Sequence, residues 1–341
     1  MSAPEAVPPE RRAPERRRPR SFRAVALGGG FLGALIVAVS FALYVRFVRY
    51  ERIAAHHVPE GSVLAARIDV QQAMLYDPVR RHVLPLLGGP SREPKDGDAA
   101  LARFEAVSGL DRGDLREIVA ARGARREDWV LVFTGLFARS VTVGQLWVAL
   151  GANDPAWKLS DGGAAVFRSD SGIAVGRAAD GAFLLASSLG ELERARPSAS
   201  AGVALGLEPR GPGSFALGPA AVQELVRFPA VLARPELAAA LGSVTGVAGS
   251  LSLGDQVGLR VVFNGAGAPA ARALVDGIRE MLGTFGKMAD TEGGALARAT
   301  AERAEPLPSG DGVQFRWERE ELDRMFVLLA EAIRRRAAGP E

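Results

Sequence analysis

The sequence predicts an α+β fold in which an N-terminal transmembrane helix is followed by two tandem βαββαβ-like halves with mainly antiparallel sheets. Three observations lead there. Residues 24–45 (AVALGGGFLGALIVAVSFALYV) form an apolar run without one charged side chain. Beyond residue 60, short apolar or alternating runs are separated by Gly, Asp and Pro, the punctuation of strands joined by tight turns and short helices. After a stretch rich in Pro, Gly and Ser at 197–213, the order strand, helix, two strands, helix, strand begins again.

The 22 residues of the apolar run give a helix of about 33 Å at about 1.5 Å per residue, enough for a hydrocarbon core of about 30 Å. Arg11, Arg12, Arg16, Arg17, Arg18, Arg20 and Arg23 precede it, and only Arg46, Arg49 and Arg52 follow closely. That bias predicts a cytoplasmic N-terminus, an inner-membrane single pass and an extracytoplasmic remainder. A cleaved signal peptide is the alternative, but its apolar region is shorter and ends at a small-x-small site, whereas this run continues into Tyr44, Val45, Arg46 and Phe47. Within the run Gly30, Ala34, Ala38 and Ala42 recur every four residues, and Gly29 with Gly33 forms a G-x-x-x-G. Such a small-residue stripe suits close helix approach in a homodimer or against a partner membrane protein, although an Ala-rich chain produces it by composition as well. The expected division is an Arg-rich disordered tail at 1–23, the transmembrane helix at 24–45, a juxtamembrane linker at 46–60, a first α+β half at 61–196, a linker at 197–213 and a second α+β half at 214–337.

Net charge narrows the partners. The 341 residues carry +3, but residues 1–52 hold ten arginines against Glu5, Glu10, Glu15 and Glu51, a net of +6, so the remainder carries −3. The basic pI of about 9.6 therefore belongs to the N-terminal segment, whose counterpart is an anionic lipid surface, and nucleic acid is not an expected partner of the rest. Cysteine is absent, which excludes disulfides and thiolate metal sites, and a chain of this length buries its cores without such staples.

The elements follow in order. Pro59-Glu60-Gly61 is a turn and 63–69 a strand. Residues 71–87 carry Met74, Val79, Val83 and Leu87 at helical spacing, with Pro78 splitting the helix in two. After a polar loop at 88–98, Leu101, Phe104 and Val107 mark another short helix. Residues 118–121, 129–135, 164–168, 173–177 and 183–186 read as strands, 145–150 fits helix or strand, and 189–196 closes the half as a helix. In the second half 214–218 is a strand, and 220–228 and 235–241 are helices. Residues 246–253 and 257–263 form a hairpin through Gly254-Asp255. Pro269 opens a helix with Leu274, Val275, Ile278, Met281, Leu282 and Phe285 in one stripe. Residues 313–317 are the last strand, and 318–336 the last helix, with Leu322, Met325, Phe326, Leu329 and Ile333 on one face. The segments from Ser62 (SVLAARIDVQQAML) and from Gly213 (GSFALGPAAVQELV) align loosely, Gln72 over Gln223, which suggests duplication.

With an N-terminal anchor, VPEGSVLAARIDV at 58–70, GLDRGDLREIVAARG at 109–123 and FLLASSLGELERA at 183–195, the chain resembles a broad group of uncharacterised extracytoplasmic bacterial proteins. The resemblance implies location and architecture and brings no catalytic residues with it. Abundant Arg, Ala and Gly beside only Lys95, Lys158 and Lys287 fit a GC-rich bacterial genome.

Several motifs resemble sites of chemistry. Ala186-Ser187-Ser188-Leu189-Gly190 imitates a nucleophile elbow, but no histidine follows it, so Ser187 or Ser188 is read as a helix N-cap. Gly265-Ala266-Gly267-Ala268-Pro269-Ala270 imitates a dinucleotide loop, without the following strand and acid, and is read as a tight turn. His56-His57 lacks a third metal ligand nearby and is read as solvated linker. Asp111 with Asp114, Glu127 with Asp128, and Glu302 with Glu305 are read as surface, and Trp129, Trp147, Trp157 and Trp317 as core. No cofactor, metal or catalytic residue is expected. The expectation is a non-enzymatic binding or interaction module of the bacterial envelope, with a solute- or lipid-binding receptor and an acid-based envelope hydrolase as rivals.

Overall fold

Strand formation in this chain follows alternation of small or apolar side chains, and the strands so formed join into one sheet. The structure, a computed structural model, describes residues 53–78, 81, 114–136, 142–151, 154–161, 163–196, 205–209, 211–254, 256–288 and 292–337. The chain divides into two units, Met1–Tyr50 and Glu51–Glu341, and the second is the one described. Its strands are β1 (Leu64–Asp69), β2 (Leu115–Arg122), β3 (Trp129–Gly135), β4 (Trp157–Leu159), β5 (Ala165–Arg168), β6 (Ala174–Arg177), β7 (Phe183–Ala186), β8 (Gly213–Leu217), β9 (Gly246–Ser252), β10 (Gln256–Asn264), β11 (Glu305–Pro306) and β12 (Gly312–Glu318). They lie in the order β11-β12-β10-β9-β8-β1-β2-β3-β7-β6-β5-β4, every neighbouring pair antiparallel.

The helices among the described residues are α1 (Val70–Leu75), α2 (Val143–Gly151), α3 (Leu189–Ala195), α4 (Pro219–Val226), α5 (Pro229–Leu232), α6 (Pro235–Gly242), α7 (Ala268–Met288), α8 (Glu292–Glu302) and α9 (Arg319–Ala337), with a 3-10 turn at Ala54–His57. Local chemistry sets their starts. Asp69 accepts the Gln72 N–H at 2.9 Å and caps α1. Pro219, Pro229 and Pro235 open α4, α5 and α6, where the missing N–H costs nothing and the fixed φ already suits a helix.

Strand parity places two cores on opposite faces of the sheet. Ala65 pairs with Ala121 and Ala216, Ala121 with Val130, and Val130 with Ala186, so these side chains share one face. They are buried there with Val119, Val132, Leu184 and Leu192 beneath the 3-10 turn and α3. On the other face Val247, Val257, Val261, Phe263, Phe315 and Trp317 pack against Leu237 of α6, Leu274 and Val275 of α7 and Leu322 of α9. Leu146 of α2, with Phe133, Val175 and Phe183, makes a small third cluster on that same face over the first strands. Gly249 is required at the second core, because a Cβ there would stand 2.1 Å from the Phe215 ring crossing it.

The expected fold class is corrected on two points. No helix among the described residues is long and apolar enough to cross a membrane, which leaves the membrane, single-pass and signal-anchor descriptions without support. The physical reason is plain in the longest helix: α7 has 21 residues but carries Arg272, Asp276, Arg279, Glu280 and Lys287, so it presents one apolar stripe to the sheet. Residues 24–45, with Gly29, Gly30, Gly33, Ala34, Ala38 and Ala42, lie outside the described residues, as do 1–23, 46–52, most of 197–213 and the helix expected near Leu101. Second, the halves do not keep separate sheets. β1 and β8 would each be an open edge, and their pairing (Ala65 with Ala216, Arg67 with Ser214) merges both into one ladder of twelve strands.

Candidate functional site

Three turns meet at the end of the sheet where β1 begins, and their sequences explain why. Gly61 adopts φ +78° in the turn that Ser62 closes by donating its N–H to the Pro59 carbonyl at 3.2 Å. In the β2–β3 turn Gly123 donates to the Asp128 carbonyl at 2.8 Å, and a Cβ at Gly123 would lie 2.9 Å from that of Asp128. The third turn leads from β7 into α3: Ser187 Oγ accepts the Trp129 N–H at 3.1 Å, and Ser188 Oγ accepts the Glu191 N–H at 3.2 Å. Together they enclose an open depression of about 520 Å³ whose lining includes Gly61, Arg125, Asp128, Ser188, Glu191 and Arg194. Glu191 is buried and ion-paired with Arg194. The depression therefore offers both signs of charge at its rim and suits a polar segment of a partner. A smaller cleft of about 140 Å³ lies between α8 and α9, with Leu296, Thr300, Trp317, Arg324 and Met325 in its walls.

Two sets of buried polar groups tie separate elements together. Arg67 and Glu117, both 1% exposed, form an ion pair between β1 and β2. Arg67 also donates to the Gly211 carbonyl at 3.0 Å, and Glu117 accepts the Ala54 N–H at 3.3 Å and the Thr134 hydroxyl at 3.4 Å. The pair thus pins both the 3-10 turn and the entry to β8 onto the sheet. His57 does the same at the far end of α3: its Nδ1 lies 2.9 Å from the Ala195 carbonyl, which only accepts, so Nδ1 carries the hydrogen, and its Nε2 lies 2.7 Å from Asp180 Oδ2. On the opposite face the Glu224 carboxyl is held below its ordinary value by the hydrogen bond from Arg122, against the opposing effect of burial, with Arg126 and Arg227 adding to the Arg122 charge. Burial pushes the Tyr76 phenol up. It lowers Arg177, whose guanidinium sits 5.1 Å from the Phe183 ring centre.

The residues singled out in the sequence scatter. Ser188 is the N-cap of α3. Gly265 takes φ +81° in the turn before α7, packed against Thr245. His57 is 1% exposed and its neighbours Ala54 and Ala55 belong to the first core, so the solvated-linker reading of the His-His pair is corrected: small side chains let the turn lie flat on the sheet. Among the described residues no group of three His, Cys, Asp or Glu side chains could hold a metal. Trp317 is core, stacked on Phe315 with centroids 5.7 Å apart, whereas Trp147 is 43% exposed. Sequence reasoning missed the His57–Asp180 and Arg67–Glu117 pairs, which join residues 123 and 50 positions apart with no local signal.

Neither protein-family models nor curated proteins match the chain. Among solved structures, crystal form III of TP0453 is similar at 10% identity and a TM-score of 0.43, over 82% of this chain and 98% of that one. Crystal form I of TP0453 gives 10% identity and a TM-score of 0.40, over 81% and 97%.

Proposed function

We propose that the chain is a non-enzymatic interaction module that works outside the cytoplasm. The observation that carries the reading is the set of large apolar side chains left in solvent: Leu75 at 82% exposure, Leu232 at 57%, Phe228 at 55% and Ile68 at 52%. Removing such surface from water contributes about 25 cal/mol per Å², so a protein partner that covers several of these side chains at once gains affinity from them. Ser188, His57, Arg67 and Glu117, the residue types that acid-base or nucleophilic chemistry would need, serve as cap and cross-links instead. The net −3 beyond residue 52 supplies no field for phosphate, which argues against nucleic acid. A basic segment followed by the uncharged apolar run at 24–45 is the sequence pattern of an exported chain, which supports the location.

Two measurements test this. A photo-crosslinking residue at Leu75, Phe228 or Leu232 should yield a discrete protein adduct in cells, and one at exposed Glu302 should not; equal labelling at all four would remove the interaction reading. Alkaline phosphatase fused after Glu341 should be active, since that enzyme needs an oxidising compartment, and an inactive, stable fusion would overturn the location.

A further inference from the structure

The two edges of the sheet differ. β11 is two residues, Glu305–Pro306, and its proline has no N–H to offer a neighbouring strand. β4 is Trp157–Leu159, with no proline. Ser160 donates to Ala165 O at 2.8 Å and Ser169 to Ala156 O at 2.9 Å, and Lys158 faces Phe167. In an antiparallel ladder these pairs turn the backbone groups of 156, 158 and 160 inward, so those of Trp157 and Leu159 turn outward. The Trp157 N–H reaches the Asp154 carbonyl at 3.3 Å, and the Trp157 carbonyl accepts the Trp147 indole N–H at 3.3 Å. Among the described residues, the N–H and C=O of Leu159 have no such partner, and Leu159 is 41% exposed. On the same face of the sheet α2 presents Trp147 at 43% and Val148 at 55% exposure. Lys158, the one charge on this strand, points to the other face.

We propose that the β4 edge is a docking site for an extended peptide segment of a partner, added as a thirteenth, antiparallel strand. Leu159 exchanges its two backbone hydrogen bonds with one partner residue, whose apolar side chain lies on the same face as Leu159 and Trp147. The next partner residue faces Lys158 and is acidic. A second copy of this chain is disfavoured, because antiparallel self-pairing about the middle of β4 sets Lys158 against Lys158. The inference rests on the interaction-module reading and gives that module one site and one partner chemistry.

Fluorescence anisotropy with labelled hexapeptides on the full chain tests it. Thr-Thr-Val-Glu-Thr-Thr should bind about tenfold more tightly than Thr-Thr-Val-Lys-Thr-Thr, the swing between an opposite-charge and a like-charge cross-strand pair, and Lys158→Glu should reverse the preference. N-methylation of the peptide valine removes the N–H that Leu159 O accepts and should abolish binding without touching the protein's fold. Leu159→Pro should do the same from the other side. Binding that survives N-methylation, a preference unmoved by Lys158→Glu, absence of binding by either hexapeptide, or a dimer lost in Leu159→Pro would each overturn the proposal. Adducts at Leu75 or Phe228 with no peptide binding would overturn this site alone and leave the interaction module standing.

Discussion

The Arg67–Glu117 pair shows what one residue does when two charges are buried together. Removing Glu117 takes from the buried Arg67 guanidinium its closest counter-charge and leaves it the Asp69 carboxylate at 3.8 Å, so Glu117→Ala should destabilise the fold by about 3 kcal/mol, measured by urea unfolding. Replacing both by apolar residues of similar volume, Arg67→Met with Glu117→Leu, should recover most of that loss, because the desolvation penalty disappears along with the attraction. Tyr76 is the converse case. Its hydroxyl is buried with no hydrogen-bond partner among the described residues, so Tyr76→Phe should leave stability unchanged or raise it by up to about 1 kcal/mol in the same assay. Glu224 supplies a pH dependence. Its folded-state pKa lies below the ordinary 4.5, first because Arg122 donates to it. The linked stability is therefore complete above the unfolded value and is lost as pH falls through the folded one. A carboxyl NMR titration should place Glu224 below ordinary glutamates, and Arg122→Gln should move it back up.

Elements obey local rules where the rules are strong. Ser188 closes the first turn of α3, and Ser188→Ala should cost about 1 kcal/mol, less than a change in the core beneath. In α9 the side chain of Leu322 is 6% exposed against the second core, so Leu322→Ala should cost about 2–5 kcal/mol by lost burial plus a cavity, read as a fall in unfolding midpoint. Such elements were legible from the chain alone: the prolines that open α4 and α6, the turns at Gly61 and Gly181, the alternation in β2, β3 and β10, and the apolar stripe of α7. What was not legible fails for physical reasons. β4 is three residues with Lys158 at its centre, too short for any period to register, and α8 carries Gly293 and Gly294 in its first turn. Residues 145–150 fit helix or strand, because Trp147 and Val148 suit a strand while Leu146, Ala149 and Leu150 suit a helix, and in the helix Leu146 is buried with Phe183 against Phe133. The polar ties at His57 and Arg67 depend on which strands become neighbours, and so do the rims of the depression beside Ser188.

At the scale of the whole molecule, the joint between β1 and β8 decides how the two cores depend on each other. The 3-10 turn and α3 cover the first core on one face, and α6, α7 and α9 cover the second on the other, so among the described residues the two have no buried side chain in common and meet through the sheet. A sheet hydrogen-bonded through its centre transmits loss of either core as a newly exposed edge, Ala65 and Arg67 on one side, Ser214 and Ala216 on the other. Arg67 strengthens the coupling, since it reaches Glu117 on β2 and the Gly211 carbonyl just ahead of β8. The residues Glu51–Glu341 should therefore unfold in one transition although they hold two cores. Fluorine-labelled tryptophans make this measurable: Trp317 lies in the second core, and Trp129 reports the unfolding of β3, the strand that carries Val130 and Val132 of the first. Their NMR signals should disappear at one urea concentration. In Ala216→Asp, which forces a charge into the joint at a position with 0% exposure, both midpoints should fall together. Two separate midpoints in the unaltered chain would mean that the β1–β8 ladder does not couple the halves, and each would then have to be treated as a domain stable without its neighbour.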